Sequence, residues 1–254
     1  MQLKHILTAS SIAVMVAGPA LAENILRWTS QGDALTLDPH SQNESPTIAM
    51  NGQLYESLVT RDADLNLQPE LAESWSVNAD GWTFNLRKGV KFHDGADFTA
   101  EDVVFSFERA RHEASDYKEQ IKSITEVKVI DAHTVMLVTD GPNPILPNQL
   151  TSLYIMDKGW AETNNVVAPQ NFKAQEENFA VRNANGTGPF TLVSRAPDEK
   201  TVMVRNANWW GNGKFPGNVD RIEYRPITNA ATRVAALLSG EVDFVLDPPL
   251  QDLK

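Results

Sequence analysis

The chain has 254 residues, 42% of them hydrophobic, and no cysteine. That composition excludes a disulfide framework, a thiol nucleophile, cysteine-based zinc sites and iron–sulfur clusters, so stability has to come from a hydrophobic core. A formal net charge of −11 at pH 7 argues against nucleic acid and anionic membrane surfaces as partners.

Residues 1–22 read as a cleavable signal peptide. Lys4 and His5 form a short polar start, residues 6–17 form an apolar stretch, and Ala20-Leu21-Ala22 places small residues where a signal peptidase reads them. The apolar stretch is too short to span a bilayer as a helix. The mature chain is expected to begin at Glu23.

Ile25 to Trp28 reads as a first strand. Leu35-Thr36-Leu37-Asp38-Pro39-His40 follows, then a polar, turn-like segment from Ser41 to Pro46. Leu54, Tyr55 and Leu58 fall at helical spacing and predict a helix around Thr47 to Leu58. Pro69 is placed to open a short helix within Leu67 to Trp75.

Asp80-Gly81 predicts a turn. Trp82, Phe84 and Leu86 alternate with Thr83, Asn85 and Arg87 as a half-buried strand. Val90 and Phe92 continue the alternation, and His93-Asp94-Gly95 turns the chain. Thr99 with Asp102 three residues on predicts a helix start close to a capping box, with Val103, Val104 and Phe107 as its apolar face.

Val127–Ile130 and Val135–Val138 predict a hairpin. Residues 140–180 are rich in Pro and Asn and carry only weak periodicity. A second hairpin is expected from Phe190–Val193 and Thr201–Arg205. Ile222 to Ile227 reads as a strand that Pro226 confines to an edge or an end. Thr232 to Leu238 reads as a helix with Val234, Leu237 and Leu238 on one face, ended by Gly240. Val242, Phe244 and Val245 make a last strand, stopped at Asp247-Pro248-Pro249. This order gives a mixed α/β, α+β-like chain with much antiparallel content.

No catalytic signature emerges. His93-Asp94 lies in a turn, and His40, His112 and His133 have no i+4 partner, so neither a metal nor a cofactor is expected. Ser45 and Ser57 lack a nucleophile elbow. Asn185-Gly186-Thr187-Gly188-Pro189 precedes a strand, which fits a sharp chain turn better than a phosphate cradle. Asp97, Glu101, Asp102 and Glu108 read as a solvated face. Trp209-Trp210 reads as packing, with at most one indole facing any one cleft.

Several segments together resemble the bacterial solute-binding proteins that deliver peptides, nickel chelates and related solutes to ABC importers. They are LRWTSQGDALTLDPH from Leu26, LYESLV from Leu54, LQPELAESWSVNADGWTFNLRKGVKFHDGADFTAEDVVFSFERA from Leu67, NGTGPFTL from Asn185, RNANWWG from Arg205 and ATRVAALLSGEVDFV from Ala231. The long middle segment is the most specific.

The resemblance implies a bilobed fold of the type II periplasmic binding protein kind, closing on its solute without chemistry. Residues 23–67 and 185–254 would form an incomplete first lobe, and 68–184 a smaller inserted antiparallel domain. The family's second lobe would follow beyond Lys254, so a longer functional chain is expected.

Within this half, Gln42, Asn43, Glu44 and Ser45 are the candidate solute contacts, suited to a zwitterion or a peptide backbone. Asp247 is a further candidate near the passage to the second lobe. An ordinary polar loop explains the four loop residues equally well. The implied partners are a peptide or small solute and an inner-membrane ABC permease with its ATPase. The implied protein is a periplasmic monomer. A periplasmic sensor, a chaperone-like module and an exported hydrolase are the rival readings.

Overall fold

The computed structural model describes residues 23–249; the expected signal peptide lies outside them. In chain order the elements begin with β1 (Ile25–Thr29), α1 (Ser45–Asn51), β2 (Val59–Arg61), β3 (Leu67–Pro69), β4 (Ala72–Asn78), β5 (Gly81–Leu86) and α2 (Ala100–Ala110). They continue with β6 (Ile124–Asp131), β7 (Thr134–Thr139), α3 (Leu146–Gln149), α4 (Lys158–Thr163) and two 3-10 turns (Phe172–Ala174, Phe179–Val181). Last come β8 (Phe190–Ala196), β9 (Lys200–Arg205), β10 (Arg221–Tyr224), α5 (Ala230–Leu238) and β11 (Phe244–Val245).

The strands form two main sheets and a ribbon. One sheet runs β11-β1-β10-β9-β8, with β1 parallel to both β10 and β11 and the remaining pairs antiparallel. The other runs β4-β5-β7-β6 and is antiparallel throughout. β2 and β3 make the separate ribbon.

Each sheet owns a core. On the mixed sheet, Trp28, Leu37, Met50, Leu54, Tyr55, Met203, Ile222 and Tyr224 pack together. Trp28 meets Tyr224 edge to face at 4.9 Å. On the antiparallel sheet, Phe84, Leu86, Val135 and Leu137 pack with Val103 and Phe107 of α2. Gly81 opens β5 at φ 148°, where an added Cβ would lie 2.0 Å from the Leu137 carbonyl oxygen. Only glycine fits there.

The helix at 100 forms as expected. Asp102 reaches back to accept from the Thr99 backbone N–H (2.9 Å) and hydroxyl (3.1 Å). Its other oxygen accepts from the Lys158 backbone N–H. Asp102 is therefore buried, and the solvated acidic face contains only Asp97, Glu101 and Glu108.

Other expectations are corrected. The helix expected to reach Leu58 ends at Asn51, because the chain turns at Gly52, where an added Cβ would meet the Tyr154 hydroxyl at 2.7 Å. Leu54, Tyr55 and Leu58 are buried all the same, from a non-helical segment. Pro69 closes strand β3 opposite Val59 and opens no helix. Val90 and Phe92 lie outside any strand but remain buried, joined to the next turn by the Phe98 N–H to Val90 carbonyl bond. β10 stops at Tyr224, before Pro226, and so can sit inside the sheet.

α5 is turned over relative to expectation. Arg233 and Ala236 are buried, whereas Leu238 is 82% exposed and Leu237 is also exposed. Arg233 decides the rotation by donating to the carbonyls of Ile227 (2.6 Å), Thr228 and Asp247.

Candidate functional site

The loop from Ser41 to Ser45 is set by a buried ionic hub beneath it. Asp38 receives the Arg109 guanidinium in two parallel bonds of 2.5 and 2.6 Å, with both side chains fully buried. Burial alone would push the Asp38 carboxyl up; the Arg109 charge and hydrogen bonds outweigh it and hold the group below its usual range. The backbone N–H groups of His40 and Gln170 also donate to Asp38.

His40 completes the hub. Its Nε2 lies 2.8 Å from the Tyr154 carbonyl and its Nδ1 lies 3.1 Å from an Arg109 nitrogen. The arrangement requires Nε2–H to donate and Nδ1 to accept, which is the neutral ring. Burial, reinforced by the Arg109 charge, depresses the His40 pKa to about 3.

Arg109 also donates to the carbonyls of Val166 and Ala168. The Leu37-Asp38-Pro39-His40 turn, α2 and the segment 166–170 are thus one unit.

Above this hub the loop residues take different roles. Gln42 is buried, its amide donating to the Ser41 carbonyl. Asn43 and Ser45 are exposed, and the Asn43 amide donates to the Asp116 carbonyl at 3.0 Å. Glu44 is half-buried and accepts from the Thr47 hydroxyl, whose oxygen accepts in turn from the Leu35 backbone N–H. Burial raises the Glu44 carboxyl.

The Ser41 hydroxyl donates to the Gln170 carbonyl, and Lys173 approaches Asp116 at 3.8 Å. Leu35, Gln170, Phe172, Lys173, Gln175, Glu176, Glu177 and Val181 line an adjoining open cavity of about 490 Å³. Asp116, Gln170 and Lys173 were not singled out in the sequence. They lie in stretches without clear periodicity: Gln170 joins the Asp38 hub, Asp116 meets the loop through backbone groups that bond Ser41 and Asn43, and Lys173 follows Asp116.

Asp247 is placed elsewhere. Its carboxylate accepts from the Gln31 backbone N–H at 3.0 and 2.9 Å and pairs with Arg233 at 3.4 Å. It ties the end of β11 to the turn after β1, and no hydrogen bond joins it to the Gln42–Ser45 loop.

The remaining motifs are structural contacts. His93 sits in the seam between the two cores: the Gly186 N–H donates to its Nδ1, and its Nε2–H donates to the Gly188 carbonyl. Burial lowers its pKa to about 4. Gly186 and Gly188 press against Leu54, where added Cβ atoms would lie 2.1 Å from its carbonyl oxygen and 2.6 Å from its carbonyl carbon. The glycines allow that close backbone approach.

The two indoles of Trp209 and Trp210 do not diverge as expected. Both donate to the Glu56 carboxylate, at 2.9 Å and at 2.8–3.0 Å. Among the described residues, no group of three or more His, Cys, Asp or Glu side chains is arranged to hold a metal ion, and no helix is long and apolar enough to cross a membrane.

Comparison with known proteins places this geometry. The glutathione-binding protein GsiB of Salmonella choleraesuis is 31% identical over 247 residues, covering 96% of this chain and 45% of that protein. The periplasmic oligopeptide-binding protein OppA of Escherichia coli is 28% identical over 258 residues, covering 89% of this chain and 44% of that protein.

Among solved structures, the ABC transporter-associated periplasmic binding protein DppA of Helicobacter pylori, in complex with the peptide STSA, superposes with a TM-score of 0.79. It is 27% identical, over 91% of this chain and 48% of that one. The mixed α/β architecture is therefore that of periplasmic binding proteins, and the chain spans less than half the length of these relatives. The family described as bacterial extracellular solute-binding proteins, family 5 Middle, matches residues 66–254. The chain belongs to the bacterial extracellular solute-binding proteins of family 5.

Proposed function

We propose that this chain supplies one wall of a periplasmic solute-binding protein, which captures a peptide or a related small polar solute and delivers it to an inner-membrane ABC permease. Export would use residues 1–22, with cleavage after Ala22. The family assignment and the binding roles of GsiB, OppA and DppA support the reading. The observation that carries it is a polar loop, Gln42–Ser45, fixed on a buried ionic hub and bordered by Asp116, Lys173 and an open cavity.

On this reading Asn43, Glu44 and Ser45 offer an amide, a carboxylate and a hydroxyl to a zwitterionic or peptide-backbone ligand. Gln42 supports the loop from beneath. Asp247 acts by fixing the passage out of the mixed sheet. Residues 23–67 and 185–254 form one lobe and 68–184 an insertion, a division consistent with the residues each sheet draws on. Solute held between two walls is bound more tightly than solute on one, so this chain alone is expected to bind weakly.

Calorimetry with a panel of short peptides, glutathione included, tests the site. Glu44→Ala is expected to weaken the best-binding peptide about tenfold, a loss of about 1.4 kcal/mol, with an unchanged unfolding midpoint. Equal affinity in the two proteins rejects Glu44 as a contact. No binding by any member of the panel to a two-lobed protein that contains this chain rejects a peptide solute.

A further inference from the structure

At the β2–β3 ribbon, residues 56–70 and the remote Trp209–Phe215 loop meet around two carboxyl groups. Glu56 is 2% exposed and accepts from both indole N–H groups. Glu70, between β3 and β4, accepts from the backbone N–H and the hydroxyl of Ser57, each at 2.8 Å. Both line a cavity of about 190 Å³ with Thr60, Pro69, Trp209, Trp210 and Phe215. Every bond to these carboxyl groups comes from a neutral donor.

The surrounding charges make their direct contacts elsewhere, although the Arg87 charge favours ionised Glu56 and is outweighed there by burial. Arg87, just after β5, stacks 3.9 Å over Trp210, donates to the Glu70 carbonyl and pairs with Glu73 on β4. Lys214 lies over Phe215 and Trp210 at 5.2 and 5.9 Å. Arg61 of β2 donates to the Asn148 carbonyl. The Tyr154 hydroxyl donates to the Ile48 carbonyl. Among the described residues, neither Glu56 nor Glu70 has a salt-bridge partner within 4.0 Å, so ionising both would put two negative charges side by side without a direct counter-ion.

We propose that Glu56 and Glu70, around their common cavity, are held protonated and act together as a pH-sensitive clasp. Protonated, the pair holds the Trp209–Phe215 loop against the β2–β3 ribbon and the start of β4. Fully ionised, it repels, admits water through the adjoining cavity and loosens the loop. The titration direction agrees: burial raises both carboxyls, that of Glu56 to about 7 and that of Glu70, with Glu56 beside it, to about 8. A carboxyl whose folded pKa is raised contributes stability at low pH that disappears as pH climbs to the folded value.

The test compares wild type with Glu70→Gln, whose amide retains an acceptor for Ser57 and imitates the protonated acid. Urea unfolding is followed by tryptophan fluorescence from about pH 6.5 to about pH 8.5, above the ordinary histidine range. The wild-type unfolding constant is expected to rise by up to about tenfold per pH unit for each carboxyl that stays protonated in the folded state, with a parallel change in native-state emission. Glu70→Gln is expected to flatten both. Parallel slopes in the two proteins overturn the clasp.

Carbon-13 NMR of the wild-type glutamate carboxyls provides a measurement independent of the variant's folding. At least one carboxyl titrating near neutrality is expected. Titration of every glutamate below about pH 5.5, near the ordinary carboxylate range, overturns the proposal.

Discussion

Arg109 is the residue on which the candidate site rests, and its charge makes that role conditional on Asp38. Removing one member of a buried, doubly bonded pair leaves the other ionised in low dielectric, which costs more than the pair itself contributes. Arg109→Leu is expected to destabilise the chain by about 3–5 kcal/mol, read from urea denaturation, and to free the Ser41–Ser45 loop. A loss below about 1 kcal/mol, typical of an exposed ion pair, would show that the hub is not closed to water. Arg109 escaped the sequence reading because nothing in the helix pattern marks it: it follows Phe107 and Glu108 on α2 as an ordinary polar position. Its partner lies 71 residues away.

At the scale of elements, legibility followed local chemistry. The Asp80-Gly81 turn with β5, the β6–β7 hairpin and α2 were readable because turn glycines, alternation and a cap operate within a few residues; β4, in a stretch read as a short helix, was not. Gly81 shows how much such a position can demand. Gly81→Ala meets both a φ of 148° and the Leu137 carbonyl oxygen, and is expected to lower stability by about 1–3 kcal/mol in thermal unfolding, with β5 pairing lost first in hydrogen exchange. Protection of β5 amides equal to wild type would contradict that.

The misread elements share a cause. Leu54, Tyr55 and Leu58 are buried as their hydrophobicity required, but burial at helical spacing does not make a helix. α5 starts two residues before the expected Thr232, keeps its expected end and loses its expected face because one buried arginine, not the leucines, finds the binding partners.

Across the whole molecule, two cores are joined by a seam in which neutral imidazoles serve as hydrogen-bonded spacers. His93 and His40 both have pKa values well below the ordinary 6.5, through burial. A base whose folded pKa is lowered contributes stability that is fully present above its unfolded pKa and lost as pH falls through the folded value. The window here runs from about pH 6.5 down to about pH 4 for His93, and lower for His40. The Glu56–Glu70 pair has the opposite slope above about pH 4.5, so the histidine contribution is best read by difference. His93→Gln is expected to reduce the acid-side slope of the unfolding constant by up to about one decade per pH unit, measured by denaturant unfolding between about pH 4 and pH 6.5. An unchanged slope would mean that the seam opens before His93 is protonated.

The sequence by itself determined the absence of thiol chemistry, the acidic surface, the mixed α/β class, most strands and the family resemblance, since these depend on composition, short-range periodicity and the order of motifs. The tertiary structure alone decided which polar residues act together. It brought Asp38, His40, Arg109 and Gln170 to one hub beneath the Gln42–Ser45 loop and set Asp247 apart from them. It also turned two adjacent indoles onto a single carboxylate. Those outcomes depend on satisfying buried charges and donors over long sequence separations, and no local pattern records which distant group will provide the partner.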